Sequence, residues 1–217
     1  MGYKYNAEIV REGLHVRTCG LKRCGQDEID VSVRDISLLD EVDAFIKFII
    51  QYLEKSQKQI KVEETLNYGY WLVKFMRTQE NHLDVLEYNE QATEFCLGAT
   101  LTLSYWKQQH EICARAQANF LPPRPDKLVV ISNGVFEGDF VHGTRYPSPD
   151  HMSGWWVLTD RWDGETRSLR TEHLYHLTAR RPELAKYLAL PFGFMFDLRH
   201  GESIAFDKAI ANQKIPE

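Results

Sequence analysis

The sequence lacks any run of about 18 consecutive apolar residues, the length that a membrane-spanning helix needs. Its first residues, MGYKYNAEIVREG, lack the apolar core and the small-residue cleavage site of a secretory signal peptide. Asn6 stands where the myristoylation pattern requires Ser or Thr. We therefore expect a cytoplasmic protein that does not associate with a membrane.

Cysteine is scarce as well, with four residues in the chain: Cys19, Cys24, Cys96 and Cys113. In a reducing cytoplasm the default state of these residues is the free thiol. Cys19 and Cys24 could form half of a zinc site, but the other two do not supply the second closely spaced pair. The sequence therefore predicts no metal ion and no other cofactor.

Positive charge is also limited, because 26 Lys and Arg residues stand against 31 Asp and Glu residues, for a net charge of −5. Nucleic-acid binding needs a clustered basic surface, and no basic stretch interleaved with aromatic residues is visible. A glycine-rich phosphate loop, a GxSxG elbow and an HExxH motif are missing too. We expect no nucleic-acid partner, whereas a basic protein partner suits this charge.

Acidic residues are concentrated in one N-terminal stretch. They are Asp27, Glu28, Asp30, Asp35, Asp40, Glu41 and Asp43. We favour a solvated face with favourable charge at a helix N-terminus as their explanation. The alternative is an acidic surface that mimics nucleic acid toward a nuclease.

The first part of the chain predicts a mixed sheet with two main helices. Tyr3–Val10 and Leu14–Thr18 are predicted to pair as a hairpin, and Ile29–Val33 is a further strand. The segment Glu64–Thr78, which bends at Gly69, and the strand Asn81–Leu86 are joined by a turn over Thr78–Glu80. One helix runs from Ser37 to about Lys55, since its apolar residues follow a helical period, and a second covers about Ala99–Ala118.

The segment LPPRP, Leu121–Pro125, ends the second helix and predicts a domain boundary, because its three prolines cannot continue a helix. We therefore divide the chain into residues 1–121 and residues 126–217, and expect an α+β fold in both. In the second domain we predict strands at Lys127–Ser132, Gly154–Leu158 and, as the last one, Phe192–Leu198, a loop at Gly138–His151, and helices at Ser168–Ala179 and from Pro182.

Two residue pairs could carry catalysis, and they define the alternative function of a thiol- or metal-dependent hydrolase. His110 and Cys113 are three apart on a predicted helix, as are His173 and His176, so each pair can share a helix face. A nucleophilic cysteine needs a histidine that a third group orients, and a metal site needs further ligands. Since neither addition is visible, packed or solvated side chains are the favoured interpretation.

The loop DRWDG, Asp160–Gly164, places two carboxylates on either side of a tryptophan. Such carboxylates are usually solvated or cap a loop. Beside an exposed aromatic residue they also make a good anchor for a basic protein. We take Trp156, Asp160, Trp162, Asp163 and Glu165 as the candidate contact residues.

An ordered series of motifs in the second domain resembles immunity protein family 33 of bacterial polymorphic toxin systems. The series runs from a strand ending in Ser132, through Ser153-Gly154-Trp155 and the acidic loop, to Pro182-Glu183-Leu184 and Pro191, Gly193 and Phe196. It covers about a third of the chain, from about Lys127 to Asp197, and departs from the pattern at Met152, where many relatives have an acidic residue.

The resemblance implies a cytoplasmic immunity protein that binds and occludes a cognate toxin and has no enzymatic activity; an adaptor for other proteins is a further alternative. The oligomeric state stays open. Most of the motif residues have plain structural explanations. Gly154 allows a close backbone approach, and Trp155 and Trp156 point to opposite faces of a strand, so that one is buried more than the other.

Overall fold

The structure, a computed structural model, describes residues 7–77 and 82–215. Within those residues, no helix is both long and apolar enough to cross a membrane. The chain divides into an N-terminal unit, Met1–Asn89 with Thr93–Lys107, and a C-terminal unit, Glu90–Ala92 with Gln108–Glu217. Both units combine strands with helices, which confirms the predicted α+β class.

The division between the two units falls inside a helix. Residues 108–121, which the sequence-based division places in the first domain, lie here with the C-terminal unit. The boundary at residues 121–126 stays a prediction.

The N-terminal unit is built on a mixed sheet. Its described strands are β1 (Glu8–Glu12), β2 (His15–Cys19), β3 (Glu28–Ser32), β4 (Thr65–Tyr68), β5 (Trp71–Met76), β6 (His82–Tyr88) and β7 (Phe95–Leu97). They follow the order β1-β2-β3-β6-β5-β4, with β7 also paired to β6. The β3–β6 pair is parallel and the other pairs are antiparallel, so the predicted mixed sheet is confirmed.

Two turns in this sheet depend on glycine. Gly13, with φ 65°, joins β1 to β2, and the predicted hairpin is confirmed for its described residues. Gly69, with φ 61°, belongs to the tight turn between β4 and β5, so the chain reverses direction there instead of bending within one strand. The predicted strand residues 3–6 and the predicted turn at 78–80 lie outside the described residues.

Helix α1 (Leu39–Ser56) follows a 3₁₀ turn at Ile36–Leu38, whose start is capped by the Asp35 carboxylate accepting a hydrogen bond from the Ser37 N–H at 2.8 Å. Its buried residues recur at a helical period: Val42, Phe45, Ile46, Ile49 and Leu53. They join the core formed with the inner residues of the sheet. Burying each side chain stabilises the unit by roughly 1.5–3 kcal/mol.

Helix α2 (Thr100–Arg115) begins against a buried carboxylate. Glu87 of β6 accepts hydrogen bonds from the backbone N–H groups of Leu101 and Thr102, at 2.9 and 2.6 Å. These N–H groups have no partner within the helix, and a negative charge suits the positive end of the helix dipole. A strand residue therefore fixes where this helix starts.

The C-terminal unit is built on a second sheet, whose order among the described strands is β11-β8-β10-β9-β12-β13. The strands are β8 (Leu128–Ile131), β9 (Val141–Arg145), β10 (Met152–Thr159), β11 (Arg170–His173), β12 (Phe194–Asp197) and β13 (Ser203–Phe206). β8 and β10 are parallel and the other neighbours antiparallel. The helices are α3 (Leu174–Arg180), a 3₁₀ helix at Pro182–Tyr187 and α4 (Lys208–Ala211).

The predicted loop at Gly138–His151 is wrong, because it contains the central strand β9. The segment VHGTR carries a glycine in its middle, which is unfavourable for a strand. Here Gly143 is required, since a Cβ atom at this position would lie 2.3 Å from Cε1 of the Phe196 ring. Tertiary packing therefore decides a strand that local propensity does not indicate.

Two other predictions in this unit are wrong. The predicted helix Ser168–Ala179 is half strand: Arg170–His173 form β11, which pairs with β8 at the sheet edge, and only the remainder is helical. The strand around Phe194 is also not the last one, since β13 follows it and pairs with it. Both errors concern edge strands, where polar or exposed residues hide the alternation.

Candidate partner-binding surface

The two faces of the C-terminal sheet differ in burial. One face carries fully buried side chains, among them Val129, Ile131, Trp155 and Val157. Trp155 is also fixed in direction, because its Nε1–H donates a hydrogen bond to the Leu188 carbonyl oxygen at 3.1 Å. This face belongs to the core of the unit.

The opposite face, here called the open face, consists of the side chains of His142, Thr144, Trp156, Leu158, Met195 and Asp197. Their shared orientation follows from the strand register: Trp156 lies opposite Thr144, Leu158 opposite His142, Met195 opposite Thr144, and Asp197 opposite His142. Trp156, Thr144 and Met195 are half-buried, whereas Trp155 has no exposed surface. The predicted difference between the two tryptophans is confirmed.

Three loops meet at one end of this sheet: the loop that joins β8 to β9, the loop after β10, and the loop after β12. Ion pairs connect them. Arg161 pairs with Asp139 at 2.6 Å, and Arg199 pairs with Asp160 at 2.9 Å and with Asp197 at 2.6 Å. The Arg199 cluster, defined as Arg199, Asp160 and Asp197, thus joins the loop after β10 to the open face.

The electrostatics of the Arg199 cluster follow from its hydrogen bonds. The hydrogen bonds that Arg199 donates to Asp197 lower the pKa of Asp197 to about 2. In turn, the carboxylates of Asp197 and Asp160 raise the pKa of Arg199. Burial, and then the Arg199 charge, lower the pKa of neighbouring His142. At neutral pH the cluster therefore holds two carboxylates, one guanidinium and an adjacent neutral imidazole.

The DRWDG loop is held mainly by its own contacts. Trp162 Nε1–H donates to the Glu165 carbonyl oxygen at 3.1 Å. Asp163 Oδ1 accepts from the Glu165 N–H at 2.9 Å and from the Ser168 hydroxyl at 2.7 Å, and the hydrogen bonds from Ser168 and Glu165 lower the pKa of Asp163. Asp163 therefore shapes the loop, while Glu165 is exposed.

The sequence-predicted contact residues fall into two places. Asp160, Trp162, Asp163 and Glu165 share one loop, whereas Trp156 lies on the open face. Asp160 connects the two places through Arg199, and three quarters of its side chain is exposed.

Sequence reasoning missed three members of this region, His142, Asp197 and Arg199. It treated His142 as part of a loop and Asp197 as the end of a strand, and it assigned Arg199 to no element. The alternation of β9 and β12 would have placed His142 and Asp197 on one face, but β9 carried no recognisable strand signal. Phe140, with 71% of its surface exposed beside the same loops, was missed as well.

The His110 and Cys113 pair has the wrong electrostatics for an activated thiol. Cys113 is 3% exposed, and burial raises its pKa, which favours the thiol over the thiolate. His110 stacks on the Phe120 ring with 3.9 Å between the ring centroids, and burial lowers its pKa. Cys113 is therefore a buried thiol, whereas His110 is an exposed residue that stacks on an aromatic ring.

His173 and His176 do not form a metal centre with other ligands. Their rings touch edge to face at 5.6 Å between centroids, and His176 Nδ1 lies 3.3 Å from a Glu172 carboxylate oxygen. No group of three or more His, Cys, Asp or Glu side chains is arranged to hold a metal ion anywhere in residues 7–77 and 82–215. His173 lines an open surface cleft of about 500 Å³.

Most carboxylates of the acidic stretch form hydrogen bonds or ion pairs with other residues of the N-terminal unit. Glu28 accepts hydrogen bonds from the Thr18 hydroxyl and from the N–H groups of Gly20, Leu21 and Lys22. The pairs Asp27 with Arg77, Asp30 with Arg17, Glu41 with Lys107 and Asp43 with Arg11 account for most of the other carboxylates. Carboxylates engaged in this way do not make a free phosphate-like surface.

Two of the motif residues, Ser153 and Trp155, lie against the buried guanidinium of Arg145. Arg145, 3% exposed, donates hydrogen bonds to backbone carbonyl oxygens of residues 121, 153, 188 and 190. Ser153 donates its hydroxyl to the Leu128 carbonyl oxygen at 2.8 Å. Gly154 has φ 83°, and a Cβ atom there would lie 2.2 Å from the Tyr146 carbonyl oxygen. These residues hold the fold.

Comparison with known proteins locates the family resemblance in the C-terminal unit. No curated protein and no solved structure matches the chain. A family model described as the Imm33-like domain matches residues 108–207, a range that contains all of strands β8 to β13. The C-terminal unit therefore carries an Imm33-like domain, which confirms the resemblance to immunity protein family 33 found in its sequence.

Proposed function

We propose that this protein is a cytoplasmic immunity protein that binds a cognate antibacterial toxin in a stoichiometric complex and occludes its active site. The Imm33-like domain at residues 108–207 carries this proposal. The protein acts by binding and catalyses no reaction, and its partner is the toxin.

The C-terminal unit offers contact residues suited to a basic partner. We propose Trp156, Asp160, Trp162, Asp163 and Glu165 for this role. Asp160 and Glu165 present exposed carboxylates, and the hydrogen bonds of Asp163 and Trp162 hold the loop in one shape. A preformed loop loses little conformational freedom on binding, which favours affinity.

The hydrolase alternative is not proposed, because no observation favours it. Burial raises the pKa of Cys113, whereas a nucleophilic cysteine needs a lowered one. His176 lies beside the Glu172 carboxylate, but no further side chain completes a metal site with His173 and His176 among residues 7–77 and 82–215.

The experiment that tests the proposal is protection. A toxin encoded by the gene beside this one is expressed in cells with or without the present chain, and an inactivated toxin is used for co-purification. We expect survival only with the chain, and a complex of fixed stoichiometry. Equal killing in both strains, with no complex, would contradict the proposal.

The same complex separates binding from catalysis. Toxin released from it by denaturation and refolding is expected to have an unchanged mass and to recover its activity. A covalent change in the released toxin would show that the chain acts as an enzyme.

A further inference from the structure

We propose that the toxin docks on the open face of the C-terminal sheet, and that it presents there an apolar side chain with a Lys or Arg beside it. The apolar group would contact Trp156, and the basic group would contact Asp160 of the Arg199 cluster. This inference rests on the proposed function and names its surface and the chemistry of its partner.

The open face provides the apolar part of this surface. Trp156 lies at its centre, on strand β10, between Thr144 of β9 and Val130 of β8 in the register. It touches Tyr146 edge to face, with 5.8 Å between the ring centroids. Tryptophan held in one position on a rigid strand is the residue type that most often dominates binding energy, since it loses little entropy on binding.

The charge of the surface selects a basic partner. In the Arg199 cluster, two carboxylates share one guanidinium. Asp163 and Glu165 add two carboxylates in the loop that follows Asp160, and Asp163 is bonded there to a hydroxyl and an N–H, both uncharged. Across these loops, five carboxylates (Asp139, Asp160, Asp163, Glu165 and Asp197) stand against three guanidinium groups (Arg161, Arg167 and Arg199), so the end of the open face keeps an excess of negative charge.

Asp160 is the carboxylate that can change partners. Its side chain is 74% exposed, and its ion pair with Arg199 is a surface pair, which contributes little to stability. Asp197 in contrast accepts several hydrogen bonds from Arg199, including one from its backbone N–H. A Lys or Arg of the toxin can therefore replace Arg199 at Asp160 while Arg199 stays with Asp197.

The two contacts should differ in their kinetic signature. Trp156→Ser removes the apolar anchor and should weaken binding of the inactivated toxin by about 30-fold or more, mainly through faster dissociation. Asp160→Arg reverses a rim charge and should slow association about tenfold at low salt, with a smaller effect at high salt. Surface plasmon resonance at two salt concentrations measures both.

Matched variants keep the test independent of folding. Thr144→Arg adds bulk and charge to the open face without removing a core side chain, and should abolish binding. Asp150→Arg makes the same charge reversal at a fully exposed position between β9 and β10, and Ile36→Ser removes an exposed apolar side chain of the N-terminal unit. Both controls should bind like the unaltered protein, and thermal unfolding verifies that each variant is folded.

The outcomes separate this inference from the proposed function. If the unaltered chain protects cells but folded Thr144→Arg and Trp156→Ser bind the toxin equally well, the docking surface is wrong and the function stands. If the unaltered chain neither protects nor binds, the function itself fails. Self-association that Thr144→Arg abolishes would mean that a second copy occupies the face, and would also overturn the inference.

Discussion

The guanidinium of Arg145 lies over the indole ring of Trp155, 5.9 Å from its centroid, and both side chains are buried. The hydrogen bonds of Arg145 to four backbone carbonyl oxygens tie the segment before β8 and the end of the 3₁₀ helix to the sheet. Burial lowers its pKa to about 9, so the side chain still carries its charge at neutral pH.

Replacing Arg145 by Met should destabilise the C-terminal unit by more than about 3 kcal/mol, because several buried carbonyl groups lose a charged donor. Urea unfolding monitored by tryptophan fluorescence measures the change. Arg145→Lys keeps the charge but not the planar fork of donors, and should fall between Met and the unaltered protein.

Arg167→Ala is the control for that comparison, since this arginine is exposed and should change stability by less than about 0.5 kcal/mol. If Arg145→Met were as stable as the control, the four hydrogen bonds would contribute no net stabilisation.

Gly154→Ala should destabilise the protein by about 3 kcal/mol or more, because it combines an unfavourable φ with a clash against a backbone oxygen. The clash is with Tyr146, the residue that follows β9, whose N–H donates a hydrogen bond to the Gly154 carbonyl oxygen at 2.9 Å, so the two backbones cannot separate without losing that bond. The midpoint and slope of the urea transition give the free energy of unfolding.

Gly138→Ala supplies the matched control. Gly138 has φ 91°, close to that of Gly154, but a Cβ atom there would meet nothing within 4 Å. It should therefore cost only about 1–2 kcal/mol, the strain of the left-handed conformation. Equal costs at the two positions would mean that the close approach at Gly154 is relieved by movement.

The buried Glu87 carboxylate should make the N-terminal unit more stable as the pH falls below neutral. Burial raises its pKa in the folded state, against the hydrogen bonds from residues 101 and 102, which lower it. A raised folded-state pKa means that the folded protein holds the proton more tightly. This contribution is complete below the unfolded-state pKa and is lost as the pH rises through the folded-state value.

The measurement is the free energy of unfolding of the unaltered protein and of Glu87→Gln, taken at several pH values between 4 and 7. The difference between the two isolates this residue, because carboxylates with lowered pKa values, such as Asp197 and Glu202, act in the opposite direction in both proteins. The unaltered protein should gain stability relative to Glu87→Gln on acidification. A difference independent of pH would contradict the raised pKa.

Elements with a complete local signal could be predicted from the sequence. Helix α1 combines an apolar stripe with the acidic residues Asp40 and Glu41 in its first turn, and the hairpin around Gly13 combines alternation with a turn residue. Strand β9 has no such signal, because its glycine is selected by the Phe196 ring and its arginine by distant carbonyl groups. These contacts join residues that are far apart in the sequence, so they form only when the chain folds.

For similar reasons, only part of the candidate surface could be predicted from the sequence. The DRWDG loop stands out because its carboxylates and tryptophan are adjacent in sequence. The open face joins Trp156, His142 and Asp197 from three strands, and their neighbourhood depends on the order β10-β9-β12. Because the sequence predicted a loop where β9 lies, the strand that brings Trp156 and Asp197 onto one face was missing, and their proximity could not be predicted.

Cys113 should be the least reactive of the four thiols, since it is buried and its pKa is raised. Cys19 and Cys96 are exposed, so they provide the comparison within the same chain. Limited alkylation with iodoacetamide at pH 7.5, followed by peptide mass spectrometry, should label these two residues first and Cys113 last. Cys113→Ala should keep full protection against the toxin. Fastest labelling at Cys113 would instead identify an activated thiolate, and would restore a thiol hydrolase as the better account of the protein.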